Sequence, residues 1–300
     1  MSGAVTITDP RRAPQTMGER LRAYVALTKP RIIELLLITT VPAMLVAAGG
    51  WPATWLVVLT VVGGTLSAGG ANAINNVVDR DIDAKMRRTR HRPLPAHRVE
   101  VKDGLIVGIV LGIAGFVVLW LGANLPAALL ATAALAFYVL VYTMVLKRTT
   151  SQNIVIGGAA GAIPAVVGWT AVTGTPDLAS WVMFGIVFAW TPAHFWALAV
   201  RFRDDYEAAG VPMLPVVASH EETGMQIVLY AALTAGLSLM LQPLTDLGLI
   251  YLVSAAVVGA WFVWESIRLL RDRARAMLLF RYSNVHLTLL FSMMAVDALV

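Results

Sequence analysis

NAINNVVDRDIDAKMRRTRHRPLP, residues 72–95, is the stretch on which the reading of this chain turns. Three aspartates stand among six lysines and arginines, and the charged part follows directly on an apolar run at 52–78. Charge placed so abruptly after apolar sequence marks the edge of a membrane span. Acids and bases crowded together at that edge need a further reason.

Around this boundary the chain suits lipid more than water. Of 300 residues 58% are hydrophobic and 14% charged, with a mean hydropathy of +0.73; a soluble domain carries about 25% charged residues. Apolar runs fall at 27–49, 52–78, 103–121, 125–146, 153–173, 178–200, 225–244, 247–267 and 277–299. Each approaches the roughly 20 residues that cross a bilayer as a helix. Breaks rich in Gly, Pro or Asn separate several of them, such as AAGGWP at 47–52 and GANLP at 122–126. The expected fold is an all-α polytopic membrane protein with nine transmembrane helices. Residues 1–26 are expected to form a mobile cytoplasmic tail, and 27–300 the intramembrane domain. The tail lacks the apolar core and small-residue cleavage site of a signal peptide. With no cysteine, disulfides, thiolate metal sites and thiol nucleophiles are excluded.

Nine spans put alternate loops on opposite sides. All 23 Lys and Arg then fall on one side: before residue 32, in 79–102, at 147–148, at 201–203 and in 268–281. The positive-inside rule makes that side cytoplasmic, which places the N-terminus and the charged loops inside and the C-terminus opposite. The pI near 9.7 follows from topology and anionic membrane lipid and calls for no nucleic acid.

Asn75, Asp79 and Asp83 recur every four residues and share one helical face if the second span continues. Carboxylates in a row repel unless a cation lies among them, and Mg²⁺ suits hard oxygen ligands that also bridge to phosphate. The neighbouring Lys85, Arg87, Arg88, Arg90 and Arg92 supply donors for phosphate oxygens. The plainer reading is that these charges only decorate a helix end. A second loop, RFRDDYEAAGVPMLPVV at 201–217, offers Asp204 and Asp205 as a facing metal cluster, although DDYE alone also suits a solvated loop. Tyr142, Lys147, Arg148 and Asn153 bracket a third loop within reach of the same cavity. His194, with Phe195 and Trp196 in TPAHFWALAV, suits either a haem or substrate contact or a hydrogen bond between helices. His286 in the ninth span is open to either role.

The Asn75-x-x-x-Asp79-x-x-x-Asp83 row resembles the first aspartate motif of the UbiA-type intramembrane prenyltransferases. The longer string NNVVDRDIDAKMRRTRHRPLP, with YTMVLKRTTSQNIVIGGAAGAIPAVVGWTAVTG, TPAHFWALAV and DDYEAAGVPMLPVV, is similar to the branch whose acceptor is haem. The resemblance covers much of 72–217. It implies nine helices around a central cavity, capped by cytoplasmic loops over a Mg²⁺-dependent site in a bacterial cytoplasmic membrane. It also implies a reaction: farnesyl diphosphate and haem B give haem O and diphosphate. Carried over by position, Asn75, Asp79 and Asp83 hold Mg²⁺ and diphosphate, with Asp205 from the second loop. Arg88, Arg92, Lys147 and Asn153 neutralise the leaving group, and His194 contacts haem; Tyr142 and Trp196 join the substrate-binding set. A haem A synthase or terminal oxidase assembly is the implied recipient of product. Relatives that prenylate quinone precursors carry a second Asp-x-x-x-Asp row; here Arg201 stands four residues before Asp205, where its first acid would fall.

The chemistry fits these parts. An allylic diphosphate ionises once its leaving group is neutralised, so the protein supplies electrostatic stabilisation and shelter from water. No protein nucleophile is needed. The competing readings are an enzyme prenylating an aromatic quinone precursor and, from another class, a cation transporter. A transporter should carry charge near the bilayer midplane on a path to both sides, whereas these ionisable residues gather at one edge.

Overall fold

The computed structural model describes residues 16–300, and among them every regular element is helical. Helix α1 (Met17–Leu27) precedes α2 (Pro30–Ala48), α3 (Thr54–Val78), the short α4 (Arg80–Lys85), α5 (Val101–Gly122) and α6 (Leu125–Thr149). Then follow α7 (Asn153–Thr173), α8 (Leu178–Arg201), the short α9 (Arg203–Ala208) and α10 (Leu214–Val217), and the long α11 (His220–Leu241), α12 (Leu249–Arg271) and α13 (Ala276–Asp297). Among the described residues eight helices are long and apolar enough to span a bilayer: α2, α3, α5, α6, α7, α8, α11 and α12. The ninth expected span, α13, has the length but is diluted by Arg281, Asn284 and His286.

The long helices pack in chain order as a ring, with α13 closing against α2, while α2 and α7 also meet directly. Their outward faces carry Leu105, Ile109 and Ile113 on α5, Leu229 and Leu233 on α11, and Val253 and Val257 on α12, all exposed. A surface this apolar is covered by lipid rather than water.

Small residues set the closest approaches, as expected where lipid gives helices no hydrophobic reason to associate. A methyl on Gly70 of α3 would lie 2.7 Å from the Gly108 carbonyl of α5, and one on Gly115 2.6 Å from the Ser67 nitrogen. That seam makes α3 and α5 the most intimate pair in the fold. Gly168 likewise lets α7 meet the Thr40 carbonyl of α2.

Two expectations change. Residues 17–26, assigned to a mobile tail, belong to α1, begun by a capping box between Thr16 and Glu19. Residues 1–15 of that tail lie outside the described part. Helix α1 is docked on α3: Asn72 donates to the Thr28 carbonyl at 2.9 Å and Asn76 to the Leu27 carbonyl at 2.8 Å. Those asparagines satisfy carbonyls that the end of α1 would leave open.

The second change concerns α6, which is not uniformly α-helical. From Phe137 to Leu146 it widens into a π-helix, and the Thr143 hydroxyl donates to the Tyr138 carbonyl five residues back at 2.7 Å. Such segments concentrate at functional sites. This one turns Tyr138, Tyr142 and Thr143 together toward the end of α3.

Candidate active site

The charged loops meet at one end of the ring. The backbone rungs from Asp79 to Asn75 (2.9 Å) and from Asp83 to Asp79 (2.8 Å) survive the break between α3 and α4. The four-residue spacing therefore keeps its shared face. Asn75, Asp79 and Asp83 are 2%, 0% and 2% exposed, so the row is sunk in protein rather than laid on the surface.

Buried carboxylates at this depth need partners. Lys147 Nζ stands 2.5 Å from Asp79 Oδ2, which also accepts from Asn75 Nδ2 at 2.8 Å. Arg92 holds both oxygens of Asp83, at 3.0 and 2.8 Å. Asn75 further donates to Thr143 at 3.0 Å and accepts from Lys29 Nζ at 2.5 Å. Lys29 adopts a left-handed backbone, φ +53°, just before Pro30. A lysine held in that costly conformation and aimed at the acidic row marks it as part of the site. Burial, and then repulsion from Arg92 and Lys147, pushes its ammonium down to about 7.

The second loop closes over the first. The Arg88 backbone N–H donates to Asp205 at 3.1 Å, and its guanidinium donates to the Tyr206 hydroxyl at 3.2 Å while lying over the Phe202 ring at 5.5 Å. Beneath them Ile82, Met86, Tyr142, Ile154, Tyr206, Val211 and Met213 form a small apolar core shared by both loops. Burial pushes the Tyr206 hydroxyl above its ordinary pKa, so the oxygen that accepts from Arg88 is that of a neutral phenol.

Three buried polar atoms here make no hydrogen bond: Asp79 Oδ1, Arg88 Nε and Asn153 Oδ1. Native proteins rarely leave such atoms without a ligand or water to serve them. An unmet carboxylate oxygen and an amide oxygen suit a hard divalent cation, and an unmet guanidinium nitrogen suits an anion. Among the described residues no three Asp, Glu or His side chains form a ready cage, so an ion here would complete its shell with water or substrate. The residues fit Mg²⁺ on those terms.

Several other expected site residues lie elsewhere. Asp204 is exposed on α9, where Asp205 next to it faces Arg88. Asp81, between the two row aspartates, points away and forms a two-pronged pair with Arg148, both contacts at 2.8 Å. That guanidinium holds the Asp81 carboxyl down at about 2. Trp196 is 1% exposed and packs edge-on against Tyr230 of α11 at 5.6 Å, inside the main core. It is not brought to the loops: two positions from His194 on a helix is over half a turn, which sends the two rings to different neighbours. His194 lies seven residues, roughly 10 Å, below the end of α8. Its ring sits between Trp190 at 4.2 Å and Phe280 at 4.6 Å, with Nδ1 2.7 Å from the Ser283 hydroxyl. Tyr142 stacks on Tyr138 at 5.3 Å. It fits only because residue 157 is glycine; a methyl there would run into the Tyr142 ring. Lys29, Tyr138 and Thr143 are members of the cluster that the motif spacing does not reveal.

A membrane-embedded helical ring with a buried Asn/Asp row, opposed by lysine and arginine, defines a class of intramembrane enzyme that handles diphosphates. The chain belongs to the UbiA prenyltransferase family, whose profile matches residues 36–289. It is 54% identical over 289 residues to the Protoheme IX farnesyltransferase of Frankia alni, an alignment covering 95% of this chain and all of that one. With the Protoheme IX farnesyltransferase 1 of Saccharopolyspora erythraea the identity is 53%, covering 93% and 91%. The fold is that of a digeranylgeranylglyceryl phosphate synthase structure, with a TM-score of 0.77 at 18% identity over 93% of this chain and 99% of that one. It also matches a UbiA homolog from Archaeoglobus fulgidus bound to DMAPP and Mg²⁺, with a TM-score of 0.59 at 15% identity over 91% and 99%.

Proposed function

We propose that this protein transfers the farnesyl group of farnesyl diphosphate to a vinyl group of haem B, giving haem O and diphosphate. The observation that carries the chemistry is Asp79: a wholly buried carboxylate with one oxygen held by Lys147 and Asn75 and the other unserved. The acceptor follows from the relatives' activity at 53–54% identity over nearly the whole chain.

Each residue then has a task. Asn75, Asp79 and Asp83 would hold Mg²⁺, with Asp205 contributing from the opposite loop. When bound, the ion supplies positive charge to the diphosphate. Lys147, Lys29 and Arg92, which pair with Asn75 and the row aspartates here, turn toward the diphosphate oxygens, and Arg88 meets them from the loop. The C–O bond of the allylic diphosphate ionises into this field, leaving a delocalised cation at the farnesyl C1. Tyr138 and Tyr142 present ring faces suited to such a cation and exclude water from it. The vinyl π electrons form the new C–C bond, and water adds to the resulting cation with loss of a proton. His194 is assigned to the haem.

The same reading places nine helices across a bacterial cytoplasmic membrane, with α13 as the ninth and the charged loops and N-terminus inside. The distribution of all 23 basic residues supports that orientation. The test is a product assay on membranes containing this protein, supplied with haem B, farnesyl diphosphate and Mg²⁺. A Mg²⁺-dependent hydroxyethylfarnesyl haem is expected on mass spectrometry. Unaltered haem B beside intact protein would sink the assignment and leave the aromatic quinone precursors as acceptors.

A further inference from the structure

The hydrogen bonds around His194 decide more than where its ring sits. Ser283 of α13 is fully buried, and its hydroxyl donates to the Phe280 carbonyl one turn back at 2.8 Å. A hydroxyl has one proton. With that proton on the Phe280 carbonyl, which also accepts from Asn284 Nδ2 at 3.0 Å, the Ser283 oxygen accepts from His194 Nδ1, 2.7 Å away. That arrangement puts the proton of neutral His194 on Nδ1 and leaves a lone pair on Nε2.

The surroundings hold this arrangement. Trp190 and Phe280 lie on the two faces of the imidazole with interplanar angles of 17° and 29°, so the ring cannot flip without parting them. Trp190 is itself tied to α13, its Nε1 donating to the Ser283 carbonyl at 2.8 Å. Among the described residues Nε2 has no hydrogen-bond partner, and the residue is only half-buried. His286, one turn further along α13, is the opposite case. It is completely enclosed, stacks on Phe262 at 4.7 Å, and has neither ring nitrogen bonded.

We propose that Ser283 is a positioning residue, which fixes His194 as the Nδ1–H tautomer and presents its Nε2 lone pair to the haem iron. This rests on the reading of His194 as the haem contact. A metal-binding imidazole is commonly set in this way, by an acceptor on its other nitrogen that fixes the tautomer and raises its basicity. The bond formed is a dative Nε2–Fe bond to the acceptor substrate, with no change of oxidation state and no proton lost from the ring. It would anchor the porphyrin at a depth set by α8, leaving its periphery to reach the farnesyl C1.

The experiment is a titration of the whole protein in detergent with ferric haem B, read by optical and electron paramagnetic resonance spectra. Farnesyl diphosphate binding is measured in parallel. The wild type is expected to give a histidine-ligated spectrum, His194→Gly to lose it, and added imidazole to restore it. His286→Phe should leave it unchanged. Ser283→Ala should weaken haem binding about tenfold or more and alter the ligand-field signature, with farnesyl diphosphate affinity retained. Ser283→Thr, which keeps the hydroxyl, should recover the wild-type spectrum. If Ser283→Ala fails to accumulate, the near-isosteric Ser283→Cys, a weak hydrogen-bonding group, is read in its place. A wild-type spectrum and affinity in the serine variants, with His194→Gly negative, overturns the positioning role alone. An unchanged spectrum in His194→Gly overturns the haem reading of His194 together with the inference.

Discussion

Arg88 and Asp205 lie 117 positions apart in sequence, and the main-chain N–H of the first meets the carboxylate of the second at 3.1 Å. That contact joins the two charged loops into one roof. Asp205→Asn keeps an oxygen for the N–H but removes the charge, so turnover should fall at least tenfold while the loops stay closed. Protease resistance of the loops reports the closure and haem O yield the turnover; unchanged turnover would confine Asp205 to a clasp.

The acidic row contains its own control. Asp79→Ala and Asp83→Ala should each cost about a hundredfold or more in haem O formation, the scale of losing transition-state electrostatics. Asp81→Asn should stay within about twofold, since that carboxylate is 56% exposed and engaged with Arg148. Equal losses at all three positions would contradict the placement of the row.

The Asp81–Arg148 pair also has a defined response to acid. Its folded-state carboxyl lies below the ordinary value, so the pair's contribution is full above about 4 and is lost as pH falls through about 2. Chemical shifts of the Asp81 carboxyl should stay flat from pH 7 to 4. A midpoint near the ordinary aspartate value would show the pair to be open in solution.

Lys147 bears on stability as well as turnover. Lys147→Met strands the buried Asp79 charge, and breaking such a pair costs about 3–5 kcal/mol. The double variant Lys147→Met/Asp79→Asn should recover part of the lost melting temperature in detergent without regaining activity. If the double variant melts no higher than the single one, the buried pair is not what Lys147 secures.

Gly157 and Gly161 lie one turn apart on α7 and should part company. A methyl at 157 displaces Tyr142, whereas one at 161 meets nothing within 4 Å. Gly157→Ala is expected to lose about tenfold or more in turnover with normal insertion, and Gly161→Ala to lose little. Matching kinetics in the two variants would show that the Tyr142 ring has no part in the reaction.

The spacing of Asn75, Asp79 and Asp83 was readable because a helix repeats near four residues, and the rungs from Asn75 to Asp83 honour that repeat. The facing of the two loops was readable from the acids and bases that both carry. Lys29 was hidden by its company: beside Arg31 at the start of a span it reads as one more inward charge, and its left-handed backbone and its contact with Asn75 show otherwise. Thr143 was hidden by the π-helix, since a period of 3.6 assigns it the wrong face. Trp196 and Asp204 were drawn in by adjacency to His194 and Asp205, although neighbours on a helix point apart. The helix at 17–27 did announce itself, in the Thr16-x-x-Glu19 pattern, within a segment whose polarity suggested a tail.

The wide turn in α6 makes that helix a gear with one tooth more than its length requires. Upstream of Phe137 the side chains keep the beat of a lipid-facing rod, and downstream they no longer fall where an uninterrupted α-helix would carry them. Deleting one residue between Phe137 and Leu146 would tighten the wide turn toward the ordinary pitch. The two halves of the helix would keep the faces they present, because the wide turn is what absorbs the surplus. What would be lost is the five-residue step by which the Thr143 hydroxyl reaches the Tyr138 carbonyl while it meets Asn75 of α3. The wide turn thus gathers polar partners for the charged row without turning the other half of the rod away from the oil.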